Sequence, residues 1–418
     1  MTSPTAASLD TGGLAALGVL RLPNFRRYFV AQMASSAGMW NQRTAELWLL
    51  LELTGSGVSL GVGTALRTAP ALFLAAPAGW LADRFDRRLL LTATQASRGV
   101  VGAAMAVLVF ARTPPLAVFY ALILLLGIIN ALDAPMRRSY VRDVVDDQHL
   151  RAAAGLHTAT ISMGRMIGPL GAGLAITLGG VGWAFTLSIV TAALAVSAVR
   201  AIQPIPRAAA SGAASGRSGT APDDHASGAG RTLQLVDVLV LLAAFSTLGW
   251  NIDVILPLLT DDVLGAGPLA FSGLVTCLSI GTLVGSLAAA GRPGSGQTFR
   301  SLVVPLLTFT VTLPLVAISD HLVVIAAGLV VAGTCGGVFL SASNASLQVV
   351  ADRNPARQGR AVAAYTIVFT GTRAVGAPAI GALVDAIGAR PAILMVAAVT
   401  AAASVLAIGG LHLRARGG

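Results

Sequence analysis

The chain has no lysine, only two cysteines and few charges of any sign. Only 11% of its 418 residues are charged, where a soluble domain carries about a quarter. That shortage excludes a water-soluble globular chain. Hydrophobic residues make up 55% and the mean hydropathy is +0.78, so the solvent is lipid. Cys277 and Cys335 both sit inside apolar runs, which excludes a disulfide framework. No second His or Cys stands at metal-ligand spacing from His157, so no metal site is expected. A Walker A sequence for ATP is missing, as is a G-x-S-x-G nucleophile turn. No catalytic residue and no cofactor are therefore expected, and a proton gradient is the expected energy source. All 28 basic residues are arginine, a uniformity that points to base composition, since contacts with phosphate could not demand it everywhere. The net charge of +10 is not a nucleic-acid footprint, because the arginines lie between apolar segments and form no continuous soluble patch. Aromatic residues, at 5%, point to a cavity lined largely by aliphatic side chains. The opening segment MTSPTAASLDTGGLAALGVL has neither a charged start nor a cleavage site and does not read as a signal peptide.

What the chain does have is long apolar runs. A helix needs about 20 such residues to cross the hydrocarbon core, and the sequence offers spans at 28–53, 58–82, 89–111, 115–135, 152–177, 181–203, 233–260, 268–290, 300–319, 321–345, 361–386 and 390–413. Continuous runs without strict alternation exclude a barrel. The expected fold is an all-α membrane protein of twelve transmembrane helices. Outside the spans, every arginine except Arg112 and Arg390 falls on one side, which predicts that this side, with both termini, is cytoplasmic.

Residues 204–232 are Ala, Ser, Gly and Pro with few apolar anchors, a flexible cytoplasmic linker between halves at 1–203 and 233–418. The halves echo each other. Arg165, Gly168 and Gly173 fall on Arg373, Gly376 and Gly381 at a constant offset, which also places Arg84 on Arg292. A nearly equal offset aligns Trp40, Asn41 and Arg43 of the first span with Trp250, Asn251 and Asp253 of the seventh. Two pseudo-symmetric six-helix bundles are expected, with a binding site near midplane where the repeats meet.

GWLADRFDRR, residues 79–88, concentrates charge between two apolar spans. It resembles the loop between helices 2 and 3 of the major facilitator superfamily, G-x-x-x-D-R-x-x-R-R, with Gly79, Asp83, Arg84, Arg87 and Arg88 in its slots. The resemblance implies a latch whose Asp and Arg join the halves in the outward-facing state. The fifth span resembles the family's antiporter signature, G-x8-G-x3-G-P-x2-G-G, through Gly155, Gly164, Gly168, Pro169 and Gly173, with Ala172 in place of one glycine and Arg165 inside the motif. NFRRYFVAQ, LTGSG and ALDAPMRRSYVRDVV narrow the resemblance to bacterial efflux proteins of the macrolide-efflux and enterobactin-exporter type. It runs through most of the N-terminal half and more faintly through the C-terminal half. It implies the fold and an outward direction of transport. It does not identify a substrate, because such proteins export chemically unrelated compounds.

An ionised side chain at a helix centre costs about 2.5–3.5 kcal/mol on insertion scales, so charges inside the spans are candidates for function. Asp253, Glu46 and Arg43 are the candidates for proton coupling, since an acid that is alternately paired with Arg and desolvated can take up and release a proton. The alternative is a static pair of Arg43 with Glu46, one turn apart. Arg165 and Arg373 either reach helix carbonyls and the interface or bind anions or relay protons in the cavity wall. Arg67 has no partner visible in sequence. Arg98, with Gln95, forms a polar face or extends to the cytoplasm. Asp133 and Arg137 mark either a capped, Pro-kinked helix end or a gate salt bridge with the 79–88 loop. Trp40, Asn41, Trp250 and Asn251 are candidates for cavity lining.

The sequence-based expectation is a proton-coupled antiporter. It would export amphipathic small organic molecules (drug, antibiotic, siderophore or other natural product) by alternating access, as a monomer in the inner membrane. An importer or uniporter of a small metabolite, or a receptor or scaffold on the same fold, are the alternatives. The expected partners are the lipid bilayer and a small-molecule substrate.

Overall fold

The computed structural model describes residues 18–112, 115–203, 235–290, 299–351 and 355–414. Among these residues the regular structure is entirely helical. In chain order the helices are α1 (Pro23–Thr54), α2 (Gly57–Thr68 and Pro70–Arg84), α3 (Arg87–Phe110), α4 (Leu116–Val144), α5 (Leu150–Gly179) and α6 (Val181–Arg200). The second series is α7 (Leu235–Ala244, Phe245–Gly249, Ile252–Leu258 and Leu259–Val263), α8 (Gly267–Ala290), α9 (Phe299–Ile318), α10 (Leu322–Ala351), α11 (Pro355–Ile387) and α12 (Ala389–Arg414). Among the described residues ten helices are long and apolar enough to cross a membrane. Helix α1 is not among them, because its middle carries Gln32, Asn41, Gln42, Arg43 and Glu46. Those polar groups face other helices, and Gln32, Asn41, Gln42 and Glu46 are all buried. The apolar stretch Ala389–Val405 of α12 is shorter than a full crossing.

Local chemistry sets the helix ends. Pro23 opens α1, where a fixed φ suits the first turn and the missing N–H has no intrahelical partner to lose. Gly55 closes α1 at φ 58°, a left-handed position that costs glycine nothing. Asp86 caps α3 by accepting the Arg88 and Leu89 amides at 2.7 and 3.2 Å. Helix α2 bends at Ala69, because Pro70 cannot donate the next backbone hydrogen bond.

The two helix series meet along α2 with α11, α5 with α8, and α1 with α7. The α2–α11 seam is tight along Gly57–Thr68 and sparse along Pro70–Arg84. At the tight end small residues let the backbones touch. A Cβ at Gly61 would strike the Ala377 carbonyl, and one at Gly381 would strike Gly57. At the other end Phe73 and Trp80 of α2 stand 78% and 57% exposed. The apolar core follows the same division. One cluster runs across the seam through Leu50, Leu60, Phe185, Phe271 and Ile380. A second, around Phe25, Tyr28, Met136 and Tyr140, belongs to the first series alone. The helices therefore converge at the end of the α1–α2 turn and part at the end of the α2–α3 turn.

One sequence-based boundary is corrected. The fourth span itself reaches only to Arg137, but the helix does not end at Asp133–Arg137: α4 continues through Pro135 to Val144, with Ser139 Oγ hydrogen-bonded to the Pro135 carbonyl at 3.1 Å. The 204–232 linker and Arg292 lie outside the described residues.

Candidate functional site

Helix α7 is irregular where the sequence places its polar residues. A π-helical turn, Phe245–Gly249, precedes Trp250 and Asn251, and the α-helix restarts at Ile252. A π turn leaves carbonyls without their usual partners. The Asn251 side chain supplies them, donating to the Ser246 and Thr247 carbonyls at 3.2 and 2.9 Å. The break turns Trp250 and Asp253 toward α1 and α5.

Asp253 is the centre of the site. Its Oδ2 accepts from Arg43 of α1 at 2.5 Å and from Arg373 of α11 at 2.6 Å. The pairing of Arg43 with Asp253 crosses the seam, while Arg373 approaches from the same helix series as Asp253. All three side chains are mostly enclosed, at 11%, 15% and 13% exposure. Asp253 Oδ1 is buried with no hydrogen-bond partner.

Arg165 of α5 lies between two indoles, its guanidinium carbon 5.0 Å from the Trp40 ring and 5.1 Å from the Trp250 ring. That is cation–π geometry with both rings. Among the described residues no carboxylate pairs with it, and its Nε is buried without a partner. Trp40, Arg43, Arg165, Trp250, Asp253 and Arg373 enclose a cavity of about 20 Å³, which is room for about one water. Thr44, Leu47, Phe271, Val275 and Leu278 complete its wall.

A second buried pair lies beside it. Arg67 of α2 donates to both oxygens of Glu46 at 2.6 Å, with side-chain exposures of 6% and 4%. The static pair of Arg43 with Glu46, the alternative reading of the sequence, is thus replaced by two others. Helix geometry allows the i,i+3 contact, but Glu46 takes Arg67 Nη1 on both its oxygens, and Arg43 takes the carboxylate across the seam.

Several expectations are corrected in the same way. Asn41 and Asn251 do not line the cavity. Asn41 is 2% exposed and donates to the Ala184 carbonyl at 2.7 Å and to Ser188 Oγ at 2.8 Å, while Asn251 is spent on its own helix. Successive helical residues point about 100° apart, so a Trp facing the cavity turns the next Asn into the packing. Arg165 and Arg373 do not reach for helix carbonyls. Arg98 does not extend to the helix end: it is 3% exposed and bonds Ser35, Gln95 and Asn130 at 3.0, 3.0 and 2.8 Å. Asp133 makes no contact with the 79–88 loop. It accepts from Arg137 and from Thr94 at 2.7 Å and faces Arg98 at 3.5 Å.

The loop itself is open. Asp83 and Arg84 are exposed, and Arg84 packs over the Trp80 ring at 5.5 Å. Arg87 pairs with Asp143 at 3.2 Å, and Arg88 donates to the Arg200 carbonyl, both within the first helix series. In the fifth helix Gly164 packs on Ser36, Gly168 on Ala37 and Trp40, and Gly173 on Ser272 and Pro268 across the seam. Pro169 lies inside the same helix. A Cβ at Gly155 or at Gly79 would meet nothing within 4 Å, so neither is a packing glycine. His157 hydrogen-bonds the Tyr28 hydroxyl at 2.8 Å. Asp385, which sequence reasoning passed over, caps α2 from the far side of the seam. No signal in the sequence marks it, since its partners are two backbone amides and the Ser56 hydroxyl of a distant helix end.

Known proteins resemble the chain in sequence and in fold. The family model described as a transmembrane secretion effector matches residues 14–416. The staphyloferrin A transporter of Staphylococcus aureus is 30% identical over 152 residues, 36% of this chain and 38% of that protein. An enterobactin exporter of Shigella boydii is 25% identical over 289 residues, 65% of each chain. The match thus spans less than two thirds of either relative. A bacterial homologue of the human lysosomal transporter Spinster has the same fold, with a TM-score of 0.70 at 13% identity over 93% of this chain and 97% of that one.

Proposed function

The chain belongs to the transmembrane secretion effector family of the major facilitator superfamily, transporters and not enzymes, and from that premise we propose that it is a proton-coupled exporter of amphipathic small organic molecules. In this reading α1 and α12 join the ten apolar helices to make twelve crossings of the inner membrane. Residues 1–203 and 233–418 are the two halves, 204–232 links them, and the arginine-rich end with both termini is cytoplasmic. The protein acts as a monomer and has no nucleic-acid partner. The parted end is then the cytoplasmic mouth, and Asp83 and Arg84 form the latch that closes when the mouth does.

The observation that carries the reading is the bond between Arg43 and Asp253 across the seam. Rocking the halves to open the converged end withdraws Arg43 from Asp253. The acid is then open to protons from outside, and a neutral Asp253 no longer holds the seam. The Glu46–Arg67 pair lies within one half and persists through the motion, so it serves as a structural neutraliser. A proton entering down the membrane potential contributes about 2.3 kcal/mol per 100 mV, roughly fortyfold accumulation of a neutral substrate. An enterobactin exporter among the relatives and the glycine motif of α5 support the outward direction.

Everted vesicles test it, with a panel of amphipathic drugs and an imposed pH gradient, acid inside. Uptake should follow the gradient, collapse with a protonophore and vanish in Asp253→Asn. Uptake that survives the protonophore, or that appears only in right-side-out vesicles, overturns coupling or direction respectively.

A further inference from the structure

Resting on the reading that the central cavity is the transport site, we infer that its substrate is an organic anion, held by Arg165 with Arg373 and flanked by Trp40 and Trp250. The argument is one of charge. Three guanidiniums, Arg43, Arg165 and Arg373, line the cavity with a single carboxylate, Asp253. The adjacent Arg67 and Glu46 cancel each other and leave that surplus untouched. Two uncompensated cations near the middle of a membrane are costly, and they persist only where something in the working cycle neutralises them.

Hydrogen bonding points the same way. Asp253 commits one oxygen to both Arg43 and Arg373 and leaves the other bare. The Nε groups of Arg165 and Arg373 are buried donors without acceptors. Against the one unused acceptor, Asp253 Oδ1, stand two unpaired guanidinium donors, so donors are in excess, and a carboxylate or another oxyanion supplies what is missing. Arg presents a planar fork matched to such groups. Stacking of Arg165 between Trp40 and Trp250 holds that fork in place and surrounds it with aromatic faces. The cavity in this conformation has room for a water-sized group. The anionic head therefore enters it by parting Arg165 and Arg373, and the rest of the ligand lies in the opening between the helix series. Cations are repelled by the same surplus. An anion leaving a negative interior also moves down the membrane potential, which adds to any proton exchange.

The test uses equilibrium binding to the full chain in lipid nanodiscs, with no gradient imposed. The probes share one aromatic frame: terephthalate, its neutral diamide and the cationic p-xylylenediamine, with sodium chloride as a competitor. Terephthalate should bind about tenfold or more tightly than either analogue, the scale of one charge-assisted hydrogen bond. Arg165→Gln should remove that preference and Arg165→Lys should keep part of it, with melting curves showing that both variants fold. Equal binding of the three probes, preference for the diamine, or displacement by chloride with no discrimination among the organic probes overturns the inference. The series on the unaltered chain decides the matter even if Arg165→Gln does not fold. Loss of anion preference with gradient-driven uptake intact removes this inference alone. Intact preference with no gradient-driven uptake removes the coupling reading alone.

Discussion

Asp385 caps the helix that begins at Gly57, although the two residues lie on opposite sides of the seam: its Oδ1 accepts the Gly57 amide at 2.5 Å. The other oxygen accepts the Val58 amide at 3.0 Å and Ser56 Oγ at 2.6 Å. The first amides of a helix have no partner within it, and a neighbouring Ser or Asp usually serves. Here much of the cap comes from α11, so it exists only while the converged end stays shut. Asp385→Ala should cost the closed form about 1 kcal/mol, roughly a fivefold shift toward opening. The readout is the distance between spin labels at Leu53→Cys of α1 and Ile387→Cys of α11, both exposed and on opposite sides of the seam, in a chain freed of Cys277 and Cys335. An unchanged distance distribution would make the cap incidental to the seam.

Bulk at the same seam should act more strongly. Gly381 meets Gly57 backbone to backbone, and any Cβ there collides with the Gly57 carbonyl. Gly381→Leu cannot be accommodated while α2 and α11 touch, so it should wedge the end open. Each helix series keeps its own packing, and the protein should still fold. The expected result is loss of transport with a lengthened distance between the labels at Leu53→Cys and Ile387→Cys, beside a melting curve that remains cooperative. Gly79→Leu, where nothing lies within 4 Å, is the control for bulk alone.

The Glu46–Arg67 pair should behave as a structural unit. Removing one partner strands a buried charge and costs about 3–5 kcal/mol. Glu46→Gln should therefore lower the melting temperature sharply. Glu46→Gln combined with Arg67→Gln should recover most of that loss and also restore transport. No such rescue is expected when Asp253→Asn is combined with Arg43→Gln, because Asp253 is proposed to carry the proton. Failure of the Glu46 double variant to regain transport would place Glu46 in the coupling step.

The sequence was most legible where one long apolar run made one helix, and where a polar residue repeated between the halves. Arg43 met Asp253, the position with which the sequence aligns it. Other partners were not legible, because each pairing depends on how two helices cross. Arg67 meets Glu46 from the next helix, and Arg165 reaches indoles from α1 and α7. Asn41 and Asn251 were misread as cavity lining because adjacency in sequence is a change of face in a helix. Asp133 was misread as marking a helix end because Pro135 suggested one. Helix α4 instead passes through Pro135 and runs on to Val144.

Asn251 gives the last test, since it holds the break on which the site depends. Its amide fills the Ser246 and Thr247 carbonyls at the π turn, in a position where no water is at hand and each bare carbonyl costs about 1–3 kcal/mol. Asn251→Leu removes both bonds and adds bulk against Gly376, whose Cα lies so close that a Cβ there would be 2.8 Å from Asn251 Nδ2. The helix can recover by straightening into a regular α-helix, which closes the carbonyls with backbone amides. That repair rotates Asp253, two residues on, away from Arg43 and Arg373. Asn251→Leu should therefore leave a folded protein whose transport no longer follows the pH gradient. Asn251→Asp, which brings acceptors where donors are needed, should fare no better, and Asn251→Gln should recover part of the coupling. The measurement is gradient-driven uptake beside thermal melting for each variant. Full coupling in the Leu variant would show that the break does not position the carboxylate.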